Sequence, residues 1–215
     1  MKKGIIFDLD GTLWNSTKQV MDSWNIIFNE KYPDICSPIT YEQMEGYMGK
    51  TLDKIAELHL PNLSYEKRMK IMREACQVEQ EYLKTHSGVV YPQVEETLLS
   101  LKNQYSFYCV SNSQDGYVQI FLEVTGLSYL FEDIEMAGRT GKTKAENISL
   151  VMERNNLDWA CYVGDTTLDM EAALGANIPF IHAAYGFGNF ESEYYIEKFS
   201  DLPLVANKLS PPKTI

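Results

Sequence analysis

Apolar positions along this chain change period several times, and the changes divide it into blocks. Ile5, Ile6 and Phe7 form an apolar run too brief for a helix, so the chain opens on a buried strand. From Ser16 to about Tyr32, Val20, Trp24, Ile27 and Phe28 recur at helical spacing, and Pro33 ends the run. Thr40 with Gln43 makes a capping box that opens a short helix through Met44, and Gly46 and Gly49 break the pattern around Lys50. Leu52, Ile55, Ala56 and His59 trace another helical stripe, stopped by Pro61. Ser64 then caps a longer helix whose apolar face runs through Met69, Met72, Cys76 and Leu83, with Gly88 at its exit. Residues 15–87 read as helical, with no strand.

Past Val89 the pattern changes. A helix around Val94, Leu98 and Leu101 leads into the β-rich run Ser106 to Val110, which ends in Ser111-Asn112-Ser113. A helix (Val118, Phe121, Leu122), a short strand (Phe131 to Met136) and a helix (Ile148 to Met152) follow. The chain then reads as a strand (Ala160 to Val163), a helix (Met170, Ala173, Leu174) and a strand (Pro179 to Ala183). Alternation of this kind predicts an α/β fold with a doubly wound, Rossmann-like parallel sheet. The helical block interrupts it after the first strand. The expected organisation is therefore a core of residues 1–14 and 88–215 with an inserted all-helical domain of residues 15–87, hinged near Trp14 to Ser16 and Gly88 to Pro92. No repeat or low-complexity tract is evident, only a tail containing Pro211 and Pro212.

Composition narrows the function classes. At 215 residues the chain can bury a sizeable core. Its formal net charge of -11 argues against a nucleic-acid or anionic-membrane surface, both of which need a basic face, but leaves room for a small phosphorylated metabolite in one locally cationic cleft. The four cysteines, Cys36, Cys76, Cys109 and Cys161, lack CxxC spacing and read as reduced and buried. Met1-Lys2-Lys3 is followed by only four residues before Asp8, too few for a signal peptide, and no segment approaches the roughly 18 apolar residues of a membrane span. The expectation is a cytoplasmic protein.

Candidate chemistry gathers where strands end. Asp8 and Asp10 sit two apart at the end of the first strand, a spacing that on extended chain points both carboxylates the same way. Gly11 lets the backbone turn and Thr12 adds a hydroxyl. Such a pair can hold a divalent cation and attack an electrophile, one acid as nucleophile and the other as acid and base. Val163-Gly164-Asp165-Thr166-Thr167-Leu168-Asp169 repeats that arrangement: a strand, an acid, then a helix with a second acid near its start. Mg2+ favours oxygen ligands with few protein carboxylates, so Asp8, Asp165 and the backbone carbonyl of Asp10 would suffice. Asp169 fits beside the metal or as a partner orienting Lys144. Ser111 and Asn112, between a strand and a helix N-terminus, suit the oxygens of a phosphoryl group. Lys144 stands in the first turn of a helix opened by the capping box Thr143/Glu146, where its charge opposes the dipole, and neutralising Asp8 and a phosphoryl group would account for it. Lys142 is the rival for that role.

These four pieces in this order resemble the haloacid dehalogenase superfamily, over nearly the whole chain: DLDGT, the Ser111 strand end, Lys144 before a helix, and GDTTLD. The helical insert looks like the C1-type cap of its subfamily I, and the phosphoglycolate phosphatase-like branch is the nearest likeness. Lys144-Ala145 stands where such proteins often carry Lys-Pro. The resemblance implies an Mg2+-dependent phosphatase in which Asp8 forms an aspartyl phosphate, Asp10 protonates the leaving oxygen and then activates water, and the cap closes over a small phosphorylated metabolite. A dehalogenase would lack Asp10. A phosphonatase would need a cap lysine in a recognisable pattern. A sugar phosphomutase shares all four motifs and is the rival enzyme, although DGTL around Thr12 favours the hydrolases. A catalytically silent phosphate-sensing module is the alternative from another class. In the cap, residues 47–50 are expected to face the cleft, with Lys50 as a candidate contact to a substrate anion. His59, His86 and His182 have no ligand spacing, and nothing in the sequence sets the substrate or the oligomeric state.

Overall fold

The computed structural model describes residues 1–211; Pro212, in the Pro-containing tail, lies outside the described residues. The first apolar run forms β1 (Lys3–Phe7), and a two-residue strand β2 (Trp14–Asn15) follows across the acidic turn. Four helices come next, α1 (Thr17–Lys31), α2 (Tyr41–Tyr47), α3 (Leu52–His59) and α4 (Tyr65–Leu83). Strand β3 (Val89–Val90) then pairs antiparallel with β2, so the chain leaves and re-enters the α/β core through one short ribbon. The core continues with α5 (Val94–Leu101), β4 (Ser106–Ser111), α6 (Tyr117–Thr125) and β5 (Phe131–Met136). A one-turn α7 (Ala137–Thr140) precedes α8 (Lys144–Arg154), β6 (Trp159–Gly164), α9 (Thr167–Gly175) and β7 (Phe180–Ala183). β8 (Tyr195–Ile196) and α10 (Leu202–Leu209) close the fold.

The sheet order is β5-β4-β1-β6-β7-β8, with every neighbouring pair parallel. β1 lies between β4 and β6, so the chain winds outward in both directions from it, and the crevice beyond the C-terminal ends of these three strands is where open α/β sheets bind ligands. Buried on both faces, β1 shows an unbroken apolar run instead of alternation. Its alternating side chains still enter two different cores. Ile5 and Phe7 join a large cluster that extends to the helical insert, while Ile6 packs with Tyr108, Tyr162, Ile148 and Val151 on the opposite face. In the insert, Trp24 and Phe28 of α1 meet Met69, Met72 and Cys76 of α4, the same helical stripes visible in the sequence.

The predicted caps are formed. Thr40 and Gln43 bond reciprocally at the start of α2, Thr143 and Glu146 do the same at α8, and the Ser64 hydroxyl accepts from the Lys67 N–H at α4. Sequence reading missed the β2/β3 ribbon, β8, α7 and α10. Two-residue strands carry no periodicity, α7 is a single turn, and α10 buries only Leu202 and Ala206. All four cysteines are buried free thiols. Among the described residues, no helix is long and apolar enough to cross a membrane.

Phe7 is fully buried, its ring 5.8 Å from that of Phe199 and 6.1 Å from that of Phe107. Truncating it leaves a cavity at the centre of the sheet. Phe7→Ala is expected to lower unfolding free energy by about 3–5 kcal/mol in urea denaturation, and a loss below about 1 kcal/mol would show that the core closes over the gap.

Candidate active site

Asp8 continues the face of β1 set by Ile6, the side covered by α8 and α9. The first turns of those helices meet it there. The Lys144 ammonium, at the start of α8, donates to Asp8 Oδ1 at 3.0 Å and to Asp169 Oδ1 at 2.6 Å, and all three side chains are buried. Asp169 is fixed from its other oxygen, since Oδ2 accepts from the N–H of Thr166 at 2.9 Å and from its hydroxyl at 2.7 Å. It is at once the capping acid of α9 and the anchor of the lysine. Burial pulls the Lys144 ammonium down, but the charges of Asp169 and Asp8 outweigh it and hold its pKa above the ordinary lysine value.

Asp165, just past β6, completes the cluster. Carboxylate oxygens of Asp8, Asp165 and Asp169 all lie within 4.8 Å of one another. The Phe187 N–H donates to Asp165 Oδ2 at 2.7 Å from the loop after β7. Gly11 packs against the same carboxylate with φ +80°; any Cβ there would collide with it, so both the turn and the approach require glycine. Two buried oxygens, Asp8 Oδ2 and Asp165 Oδ1, have no protein hydrogen-bond partner. Three carboxylates against one ammonium leave two negative charges uncompensated, and two bare oxygens face them: a donor set that fits a hard divalent cation. With protein groups alone, burial and then the charge of Asp169 raise Asp8 to about 7, and the same causes hold Asp165 well above the usual carboxylate range.

Asp10 opens to the same cavity as Asp8 but has different partners. Past Asp8 the chain is no longer extended, and Asp10 Oδ1 accepts from Ser16 Oγ at 2.7 Å, Trp14 Nε1 at 2.9 Å and Tyr117 OH at 3.0 Å. Trp14 lies in the ribbon and Ser16 at the N-cap of α1, where its hydroxyl serves Asp10 and the Thr17 N–H donates instead to Asn15 Oδ1 at 3.0 Å. Burial outweighs these three bonds and raises Asp10 to about 6. The cavity, about 60 Å³, is bounded by Asp8, Asp10, Ser111, Asn112, Ser113, Gln114 and Tyr117 from the core, and by Val20, Trp24, Met44, residues 47–50, Ile55 and Glu79 from the insert. Glu79 of α4 is buried, and its oxygens accept from Trp24 Nε1 at 2.5 Å and from Gln114 Nε2 at 2.6 Å. Burial, against those two bonds, raises it to about 8.

The sequence profile of the haloacid dehalogenase-like hydrolases matches residues 5–183. The chain belongs to that family. A plasmid-encoded phosphoglycolate phosphatase of Cupriavidus necator is 26% identical over 191 residues, covering 85% of this chain and 81% of the relative. The pyrophosphatase PpaX of Listeria monocytogenes is 26% identical over 211 residues, 92% of this chain and 93% of its own. A solved haloacid dehalogenase-like hydrolase of Bacteroides fragilis, 19% identical, has the same fold, with a TM-score of 0.82 over 94% of this chain and 100% of that one. This protein is thus an enzyme of the haloacid dehalogenase-like hydrolases with phosphatase relatives.

In this hydrolase the expected site residues fall into three groups. Asp8, Asp10, Ser111, Asn112 and Lys50 line the cavity, while Lys144, Asp165 and Asp169 stand around Asp8. Thr12 is buried in the turn outside the cavity lining; its carbonyl accepts from Tyr185 OH at 2.7 Å. Lys142 is exposed on a separate recess beside Glu146 and Ser149, so Lys144 alone reaches Asp8. The Asn112 amide donates across to the cap carbonyl of Gly49 at 2.9 Å, and Ser111 Oγ accepts from the Ser113 N–H at 3.2 Å. Lys50 Nζ bonds the Gly46 carbonyl at 2.5 Å. Sequence reading missed Trp14, Ser16, Tyr117, Phe187 and Glu79. Gly186-Phe187-Gly188 after a strand end was the one available signal; the others look like ordinary core or helix-face residues.

Glu79 gives a test by pH. Its pKa rises from 4.5 to about 8 on folding, so between these values the folded state holds a proton that the unfolded chain has released, and stability falls as pH rises through that window. The urea midpoint of the parent protein should therefore drop more from about pH 5 to about pH 8 than that of Glu79→Gln. Parallel profiles would show that Glu79 titrates normally.

Proposed function

We propose that this chain is a magnesium-dependent phosphatase that hydrolyses small phosphate monoesters through an aspartyl phosphate on Asp8, with residues 15–87 acting as the cap and residues 1–14 and 88–215 as the catalytic core. The observation that carries this reading is the division of labour between two acids in one cavity. Asp8 is gripped by a buried lysine, whereas Asp10, two residues on, is held by neutral donors with a pKa raised to about 6. A carboxyl near neutrality can give a proton and take it back, as general acid-base catalysis requires. The names of the two relatives, a phosphoglycolate phosphatase and a pyrophosphatase, support attack at phosphorus.

On this reading an Asp8 carboxylate oxygen bonds to phosphorus as the bond to the leaving oxygen breaks, and Asp10 protonates that oxygen. Asp10, now a carboxylate, takes a proton from water as the water oxygen attacks phosphorus and the bond to Asp8 breaks, releasing inorganic phosphate and restoring both acids. Ser111, Asn112 and Lys144 bind the phosphoryl oxygens; Asn112 exchanges its bond to Gly49 for one to the ligand. Lys50 is the candidate contact from the cap to a substrate anion, Thr12 shapes the turn, and Asp169 keeps Lys144 in place. Asp8, Asp165 and the carbonyl of Asp10 would hold Mg2+, which when bound supplies positive charge against the transferring phosphoryl group. The cap excludes bulk water from the acyl phosphate.

The decisive assay is magnesium-dependent phosphate release from p-nitrophenyl phosphate. Asp8→Asn should abolish turnover with the fold intact by circular dichroism, and near-parent activity would overturn the nucleophile assignment. Asp10→Asn should slow turnover of a poor leaving group by about 100- to 10,000-fold, with less than about tenfold counting against its role. EDTA should stop the reaction and added Mg2+ restore it; full activity in excess chelator would remove the metal from the scheme. Rapid sugar phosphate isomerisation with negligible phosphate release would assign the site to a mutase instead.

A further inference from the structure

Resting on the divalent-cation part of the proposed function, we propose that residues 184–190 form a strap that makes the site choose magnesium over calcium: it encloses one oxygen of Asp165 in backbone and leaves only the other for a metal. The oxygens around Asp8 are mostly engaged by the protein. Lys144 donates to Asp8 Oδ1 and Asp169 Oδ1, Thr166 donates to Asp169 Oδ2, and the Phe187 N–H donates to Asp165 Oδ2. Asp169 thus has both oxygens bonded. Asp8 and Asp165 keep one bare buried oxygen each, Oδ2 and Oδ1 respectively.

Asp165 Oδ2 is shut in by more than a hydrogen bond. Gly11 lies on one side of it and Gly186 on another, both so near that a Cβ on either would collide with that oxygen. The Phe187 ring packs on Gly11 as well, and a Cβ on Gly188 would run into the Asp165 carbonyl. A cation approaching the carboxylate therefore finds Oδ1 open and Oδ2 covered. Calcium takes roughly six to eight oxygens and often gathers them by holding a carboxylate through both. Magnesium takes about six in a strict octahedron, and one or two carboxylates met through single oxygens, with water for the rest, suffice. Two carboxylates with one bare oxygen each suit the smaller ion. To chelate calcium, Asp165 would have to turn Oδ2 out of its enclosure and leave the Phe187 N–H without its acceptor.

The strap is held at several points, so it resists that turn. The Gly186 N–H donates to the Ala183 carbonyl at 3.0 Å, closing a tight turn directly after β7. Tyr185 OH donates to the Thr12 carbonyl at 2.7 Å, which ties the strap to the turn carrying Asp8 and Asp10. The Tyr185 ring also meets that of Tyr91 edge-on at 4.8 Å. At the far end the Phe190 ring stacks on His182 of β7 at 4.0 Å. Neither Tyr185 nor Phe187 offers a side-chain ligand to the cluster. Both act through Asp165, as positioning residues.

The test reads metal affinity without turnover. Mg2+ and Ca2+ are titrated separately, by calorimetry, into the purified full chain freed of metal with a chelator. The parent should bind Mg2+ more tightly than Ca2+ by about tenfold or more. In Tyr185→Phe, which keeps the ring and loses the bond to Thr12, that preference should shrink by about threefold or more, and Gly186→Ala, whose methyl wedges the strap from Asp165, should shrink it further. A merely structural role would lower the urea midpoint of the metal-free variants and leave the ratio of the two affinities at its parent value; that result would overturn the proposal. So would a parent that binds Ca2+ as tightly as Mg2+. If Gly186→Ala fails to fold, the parent ratio and Tyr185→Phe decide. Failure of the metal reading looks different: no Mg2+ binding by the parent, or binding unchanged in Asp165→Asn, would overturn that reading and this one together.

Discussion

Everything at the crevice depends on one buried ammonium. Lys144 is the sole cation among three buried carboxylates, and its bonds to Asp8 and Asp169 tie the end of β1 to the starts of α8 and α9. Folding by itself gains little from such a cluster. Desolvation of buried charges costs several kcal/mol per ion, and a buried pair often adds no more stability than apolar residues of the same shape. An arrangement with two negative charges left over is costlier still, and the protein compensates by raising the carboxyl pKa values. A cluster that folding disfavours is kept for what it binds, which is why the bare oxygens of Asp8 and Asp165 are the strongest physical argument for a divalent cation.

The fold was legible where apolar periodicity was long or caps were explicit. The strand ends at Asp8, Ser111 and Asp165 followed from alternation alone, because a parallel sheet must place successive C-terminal ends on one edge. The convergence of Lys144 and Asp169 on Asp8 was also recoverable, since both stand in first turns of helices that cover one face of β1. Spacing misled at Asp10. The rule that side chains two apart point together holds on extended chain, and the turn at Gly11 begins before Asp10 is reached, so the two acids share a cavity but no partner. The contributions of Tyr117 and Glu79 were not legible at all. Each sits on the apolar face of its helix, where sequence pattern assigns it to the core, and only the docking of cap on core shows that both line a cavity.

That docking links conformation to chemistry through Asp10. Of its three hydrogen-bond donors, Trp14 belongs to the ribbon through which the cap leaves the core, Ser16 begins the first cap helix, and Tyr117 belongs to the core. Ser16 and Tyr117 also bond each other at 2.7 Å. A rotation of α1 about the ribbon would change the donors around the carboxyl, and with them its orientation and its proton affinity.

The same geometry separates the buried acid of the helical insert from those of the core. Glu79 and Asp10 do not bond each other; each is held by its own residue of the 114–117 stretch, so the two carboxyls share a scaffold. Asp10 is fixed by the ribbon and the core, and Glu79 is carried by α4. Substitution on α4 can then change the lining of the cavity while Asp8, Lys144, Asp165 and Asp169 keep their contacts. On the phosphatase reading, the buried charge cluster would constrain the phosphoryl end of a substrate and the cavity lining its other end, so the two could vary separately on one fold.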